Sequence, residues 1–340
     1  FGIVIFRLKL RGEAGNFRSE MTSSSPLFTT VCKEVKSALD GAGGSGALLA
    51  CSGGADSMFL AHACQSLATR GGAESSDPDG QNHPSIFARV VDHGLRPESS
   101  ADAERAVELL TDMGYDAKVL RLAHPAGKNE ADWRRFRYQL LADEALILGA
   151  SLVLTAHTAD DSAETILMRL MRGTGIRGLA GIPARRSLAQ GIDLYRPMLH
   201  LRADDVREAL VDAGQEWVED LSNADSTVAV RNFLRHEVMP GLEHLATGDP
   251  ILALNRLAAE VEDWQESLGD LLLQAETDWR GLPSYLRRQA VAKHLRDLGE
   301  TVSPTRLLNL EGALARNGSA AINETHRLSI SGGGLSLRAR

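Results

Sequence analysis

A chain of 340 residues is longer than one average domain, so a catalytic domain with a smaller appended one is the expected plan. Its hydrophobic content of 43% and charged content of 24% are those of an ordinary globular protein, and no apolar run reaches the roughly eighteen residues that a membrane span requires. Three cysteines without a CxxC pair give no basis for a disulfide framework or a zinc site, and a net charge of −8 excludes a basic surface over the whole protein.

Residues 1–26 are expected to form a flexible leader, with Met21 as the candidate start. An apolar patch there precedes Arg7, Lys9 and Arg11, the reverse order of a secretory signal, and a reducing cytoplasm suits the cysteines. From Leu27 to Leu39 the apolar spacing is helical and stops at Gly41–Gly46. Ala47–Cys51 predicts a strand that runs through Ser52–Ser57 into a helix over Met58–Ala68. Arg70–Pro84 is rich in Gly, Ser, Asp and Pro and reads as a surface loop. A strand over Ser85–Val91 ends in Asp92-His93-Gly94-Leu95-Arg96-Pro97. A helix over Ser100–Met113, a strand over Asp116–Leu120, a helix over Glu130–Leu148, a strand over Ser151–Ala156 and a helix over Asp160–Met171 follow. This alternation predicts an α/β domain over 27–240, with a doubly wound, mostly parallel sheet. Ligands of such sheets bind beyond the carboxyl ends of the strands, where Ser52–Ser57, Asp92–Arg96 and Ala156–Asp161 would converge. Gly173–Gly181 reads as a loop, Arg202–Ala213 as a helix and Pro240–Pro250 as a linker. The amphipathic stretch Ile251–Trp279, a helix over Pro304–Arg316 and a Gly-rich tail at Ser331–Ser336 make 250–340 a small, mainly helical domain.

The densest chemistry lies in Ser52-Gly53-Gly54-Ala55-Asp56-Ser57. A strand–loop–helix turn aims backbone N–H groups and the positive helix end at one point, which suits a phosphate. There is no Walker-type lysine, so the loop fits a phosphate pair that leaves as pyrophosphate. Asp160 and Asp161 open a helix, where capping alone is an ordinary use for carboxylates. Glu164 lies one turn on, and Asp56 stands on the neighbouring loop. Carboxylates gathered around a triphosphate are what Mg²⁺ requires, so Asp56, Asp161 and Glu164 are candidate metal contacts. His93 and His157 each follow a strand, and either a packing role or contact with ATP fits them and Arg96. Glu130, Arg134 and Arg137 are spaced by four and three on one helix, as a self-paired ladder or as groups that orient a substrate. Clusters at Arg134, Arg135 and Arg137, and at Arg231 and Arg235, leave room for a local positive face.

The loop resembles that of the PP-loop ATP pyrophosphatases, the adenine nucleotide alpha hydrolase-like fold. Four further stretches resemble the tRNA(Ile)-lysidine synthase family: Val91–Arg96; Glu130, Arg134, Arg137 and Tyr138; Ala156–Thr165 running on to Gly173 and Gly178-Leu179; and Arg196-Pro197 with Asn223, Arg231-Asn232 and Arg235. The match covers Leu48–Pro240 in the expected order. Family members usually carry Asn where Asp92 stands, and a second His and a Gln where Thr158 and Ser162 stand. The resemblance implies adenylation by ATP and Mg²⁺ of the wobble cytidine in an isoleucine tRNA with a CAU anticodon. Free L-lysine then displaces AMP. It further implies catalytic roles for Asp56, Asp161, His157 and Arg231, and ATP contacts from Ser52, Gly53, Gly54, Ala55, Asp56, Ser57, His93 and Arg96. Substrate contacts would come from Glu130, Arg134, Arg137, Asp160, Arg196, Asn232 and Arg235, and residues 250–340 would assist tRNA binding. A homodimer is compatible with the sequence. A tRNA thiolase normally carries CxxC pairs, which are absent. A GMP- or NAD-type synthetase lacks a reason for the stretches Glu130–Tyr138 and Arg231–Arg235.

Overall fold

A computed structural model describes residues 25–43, 46–74, 85–92, 94, 99–122, 130–218 and 226–339. The expected leader up to Ser24 with its Met21 start, together with His93, Arg96 and Asn223, lies outside the described residues. The chain divides into two compact units, Phe1–Leu257 and Ala258–Arg340. Among the described residues no helix is long and apolar enough to cross a membrane.

The first unit opens with α1 (Pro26–Gly41), whose N-cap Ser25 accepts from the Phe28 N–H and whose first turn begins with proline. Then come β1 (Gly46–Cys51), α2 (Ala55–Glu74), β2 (Ile86–Asp92), α3 (Ser99–Asp112), β3 (Ala117–Arg121), α4 (Glu130–Ile147), β4 (Ala150–Leu154) and α5 (Ala159–Met171). A 3₁₀ turn (Ile176–Ala180), β5 (Arg185–Ala189), β6 (Ile192–Tyr195), α6 (Ala203–Asp212) and α7 (Ser226–Phe233) follow. A π-helical turn (Leu234–Val238) joins α7 to α8 (Met239–Leu245). The six strands form one sheet in the order β3-β2-β1-β4-β6-β5. Every neighbouring pair is parallel except β5–β6.

Alternate residues of the central strands serve the two faces of the sheet. Ala47 and Leu49 of β1, with Leu152 and Leu154 of β4, pack against Val31, Val35, Phe59 and Leu210. Leu48 and Val153 point the other way, onto Tyr138, Leu141 and Ala145 of α4 and Leu194 of β6. Burial on both faces explains why these strands are continuous apolar runs. Four expectations shift. Helix α2 begins at Ala55, directly on the glycine loop, and runs to Glu74, into the stretch read as a loop. The 3₁₀ turn stands within the expected glycine loop. The hairpin β5–β6 was not anticipated, and α8 occupies part of the expected linker 240–250.

Helix α9 (Pro250–Leu273) reaches into the second unit, which continues with α10 (Ser284–Asp297), α11 (Pro304–Asn317) and the antiparallel sheet β7 (Ser319–Ala321), β8 (His326–Ser331), β9 (Gly334–Ala339). Trp279, fully buried, centres its core with Val291, Leu295, Leu314 and Leu328. The unit is mainly helical. Its expected Gly-rich tail is the turn of a hairpin, with Gly332 and Gly333 at φ of 61° and 91°.

Candidate active site

The glycine loop stands where β1 ends and α2 begins. Gly53 adopts φ +84°, and a Cβ there would lie 2.7 Å from the Ala106 Cβ and 3.2 Å from a Val218 methyl. The position therefore needs glycine for its backbone angle and for its space. The Gly53 carbonyl accepts the Val218 N–H at 2.8 Å. Ser57 Oγ donates to the Gly54 carbonyl at 2.8 Å and accepts the Ser52 N–H at 3.2 Å. Ala55 opens the helix and Asp56 stands in its first turn. Asp56 Oδ1 is buried and accepts no hydrogen bond. Burial, first, and the nearby Asp161 push the Asp56 carboxyl up to about 7, against the pull of Arg207 and Arg235.

Helix α5 brings its carboxylates to the same crest, since β4 is the neighbour of β1. Asp161 Oδ2 accepts the Thr158 N–H at 2.9 Å, one half of a capping box. Glu164 is 2% exposed. Arg235, held in the π-helical turn, meets it with Nε at 2.8 Å and Nη2 at 2.7 Å, and reaches Asp161 Oδ1 at 3.5 Å. Glu164 Oε2 is buried without a partner, and burial raises its carboxyl while Arg235 opposes the rise. Asp160 turns away: its Oδ2 accepts the Ala203 N–H at 2.7 Å and its Oδ1 pairs with Arg202 at 3.4 Å. Arg202 also binds Glu243, at 2.8 Å, and Asp249. Asp160 thus caps α6, and Arg235, its side chain 44% exposed, is paired with Glu164 and Asp161. The two carboxylates best placed for Mg²⁺ are Asp56, with its unpartnered oxygen, and Asp161. Among the described residues no group of three or more His, Cys, Asp or Glu could hold a metal by itself. Glu164, engaged by Arg235, is not of that set.

The other side of the crest is basic. Tyr138, on α4, has Arg134, Arg137 and Arg186 over its ring, with guanidinium-to-centroid distances of 5.4, 5.3 and 4.7 Å. Arg196, which follows β6, is 2% exposed, donates to the Pro183 carbonyl at 2.6 Å and leaves Nε unpartnered. Arg231 also has an unpartnered buried Nε. His157 shares a hydrogen bond of 3.0 Å with Thr155 Oγ1. Burial, then Arg196, Arg134, Arg137 and Arg231, hold its imidazole well below the usual range, so it is neutral. Burial raises the Tyr138 phenol, but Arg134, Arg137 and Arg196 outweigh it and bring it down to about 8.

The family departures are absorbed locally. Asp92 accepts the Gly94 N–H at 2.8 Å and the Ser99 and Ser100 hydroxyls at 2.8 and 2.7 Å, closing the entry to α3. Thr158 and Ser162 are buried at the start of α5. Asn232 lies on α7, half-buried. Glu130 opens α4, but its side chain lies outside the described residues. Arg186, Arg202 and Val218 had no signal in the sequence: each acts through a partner on an element remote in the chain.

The PP-loop domain family matches residues 27–242. Proteins named tRNA(Ile)-lysidine synthase are among the relatives. That of Methylobacterium nodulans is 35% identical over 321 residues, 86% of this chain and 89% of the relative. That of Pseudomonas fluorescens is 34% identical over 257 residues, 72% of this chain and 54% of the relative. That of Rhodopseudomonas palustris is 39% identical over 236 residues, 68% and 62% of the two chains. The chain thus spans only about half to two thirds of the length of several relatives. Among solved structures, a U34-tRNA thiolase from Methanococcus maripaludis with a [4Fe-4S] cluster shares the fold. Its TM-score is 0.53 at 15% identity, over 69% of this chain and 80% of that one. By the span of the PP-loop match and by the near full-length relative, the chain belongs to the PP-loop domain family and, within it, to the tRNA(Ile)-lysidine synthases.

Proposed function

We propose that this chain joins L-lysine to C2 of the wobble cytidine of an isoleucine tRNA with a CAU anticodon, using ATP and giving AMP and pyrophosphate. The observation that carries the reading is a crest divided by charge. Asp56 and Asp161 lie beside the phosphate loop, and Arg134, Arg137, Arg196 and Arg231 gather around His157. One half suits cations and the other suits nucleic-acid phosphate.

The loop amides and the Ser52 hydroxyl would hold the β- and γ-phosphates, with Ser57 bracing the loop and the α-phosphorus facing the C2 carbonyl oxygen of an unstacked anticodon base. That oxygen attacks phosphorus, and pyrophosphate leaves. The ε-amine of lysine then attacks C2, and AMP leaves with the oxygen. Asp56 and Asp161 would hold Mg²⁺, whose contribution is to neutralise charge on the departing pyrophosphate. His157, kept neutral, offers a hydrogen bond and not a cation. No nucleophilic side chain is required. The cytoplasm, where tRNA and ATP meet, is the compartment this reaction needs, and residues 250–340 would add RNA contacts.

The test is incubation with ATP, Mg²⁺, labelled lysine and either the unmodified isoleucine tRNA or the methionine tRNA with the same anticodon. Stable label on the isoleucine tRNA alone supports the reading. AMP release without lysine transfer, on another acceptor, removes the substrate assignment and leaves the adenylation.

A further inference from the structure

Arg202, at the entry to α6, has three carboxylates around it, each from a different segment and each met by a different nitrogen. Nε donates to Asp160 Oδ1 of α5 at 3.4 Å, Nη2 to Glu243 of α8 at 2.8 Å, and Nη1 to Asp249, which precedes α9. The Arg202 side chain is 16% exposed. The other oxygens of the two aspartates cap helix starts. Asp160 Oδ2 accepts the Ala203 N–H of α6, and Asp249 Oδ1 accepts the Leu252 N–H of α9 at 2.9 Å. The same joint holds the backbone at the head of α5: Ala159 donates its N–H to the Leu201 carbonyl at 2.8 Å, and its own carbonyl accepts from the Asn255 side chain at 2.9 Å.

Apolar packing alone does not aim this head. Ala159 and Ala163 meet Met239 and Ile251, and contact between small apolar side chains is non-directional, whereas each hydrogen bond constrains an angle as well as a distance. The segments tied to Arg202 include the two that meet at the site. Asp161 follows Asp160 on α5, and the turn that holds its partner Arg235 leads into α8, where Glu243 stands. Stability is a weak reason for such a joint, because desolvation offsets much of what an ion pair away from water gains. Direction is what a planar guanidinium with donors in a rigid fork supplies. We propose that Arg202 is a positioning residue for the reaction with ATP: acting through Asp160, it sets the direction in which the first turn of α5 presents Asp161 to the phosphate loop.

This rests on ATP binding at the crest and not on the identity of the acceptor. The wild type, Arg202→Gln, Arg202→Lys, Asp160→Ala and the double variant Arg202→Gln/Asp160→Ala are compared in three measurements: ATP binding by calorimetry with and without Mg²⁺, pyrophosphate release with the unmodified isoleucine tRNA, and thermal melting. Arg202→Gln is expected to lose about tenfold or more in kcat and in ATP affinity with Mg²⁺, the scale for removing a group that orients a metal ligand. ATP affinity without Mg²⁺ and the KM for tRNA should match the wild type. Arg202→Lys should recover little of the kcat, since one ammonium cannot hold three carboxylates in a fixed fork. The double variant should be no slower than Arg202→Gln, because both changes cut one path. Should Arg202→Gln fail to fold, Asp160→Ala carries the same test, since it leaves Arg202 on Glu243 and Asp249. A lowered melting temperature with kcat and Mg²⁺ response intact would overturn the proposal in favour of a structural joint. Losses in kcat that multiply in the double variant would overturn the path through Asp160, and ATP binding weakened equally without Mg²⁺ would overturn the path to Asp161. A wild type that binds ATP with Mg²⁺ but releases no pyrophosphate with this tRNA would remove the acceptor assignment, while a Mg²⁺-dependent loss of ATP binding in Arg202→Gln would still uphold the positioning role.

Discussion

Asp56 carries two penalties before any substrate arrives: a buried oxygen without a donor, and Asp161 close enough to raise its carboxyl. Both are reasons to expect function and stability to pull apart at this residue. Asp56→Asn removes the charge, so turnover should fall at least about a hundredfold, the scale of losing one electrostatic contact in the transition state. The melting temperature without ATP should rise at neutral pH, by several degrees if about 1–2 kcal/mol is relieved. Pyrophosphate release and thermal melting measure the two. A variant that melts lower than the wild type would mean that Asp56 is a structural anchor, and retained pyrophosphate release would remove it from the site. Glu164 differs, since Arg235 already answers its charge.

Elements were legible where one short stretch holds both pattern and punctuation. The apolar run of β1, the glycine loop and the start of α2 follow one another directly, and so do β4 and α5. The hairpin β5–β6 escaped because Arg185, Arg186 and Ser187 give an edge strand little apolar alternation, although Gln190-Gly191 between the strands, with Gly191 at φ 75°, is a two-residue turn signal. The same holds for Gly332-Gly333, where composition suggested a tail and the turn residues meant a hairpin. The loop's anchoring is a tertiary matter. Val218 and Ala106 press on Gly53 from segments far along the chain, which no local pattern announces. Gly53→Ala should force the loop off these neighbours and into a strained φ, costing about 1–3 kcal/mol. The distinguishing outcome is an ATP KM raised tenfold or more while the circular dichroism spectrum stays native. An unchanged KM would mean that the loop does not hold the nucleotide.

At the scale of the whole molecule, net charge concealed the site. A total of −8 speaks for no nucleic acid, yet a divided crest needs only local segregation of sign. The pairs that build it, Glu164 with Arg235 and Tyr138 with Arg186, are separated by long stretches of chain and meet only after the sheet forms. Segregation also shapes the pH dependence of stability. His62, on α2, is lowered to about 4 by burial. Its unfolded form takes up a proton near pH 6.5 while the folded form does not, so it contributes stability that is complete above pH 6.5 and lost as pH falls towards 4, at most about 3 kcal/mol. Asp56 has the opposite sign. Raised to about 7, it stays neutral in the fold while the unfolded chain ionises near 3.8, so its contribution is lost as pH rises from about 4 to 7 and is constant beyond. Between pH 4 and 6.5 the two slopes oppose each other, one proton each. Denaturant unfolding of the wild type, His62→Gln and Asp56→Asn across this range reads them separately. Relative to the wild type, Asp56→Asn should gain stability steadily towards pH 7 and then level off, and His62→Gln should gain it towards pH 4. Parallel curves for either variant would show that the residue titrates in the fold as it does in the unfolded chain, and that the burial assigned to it is wrong.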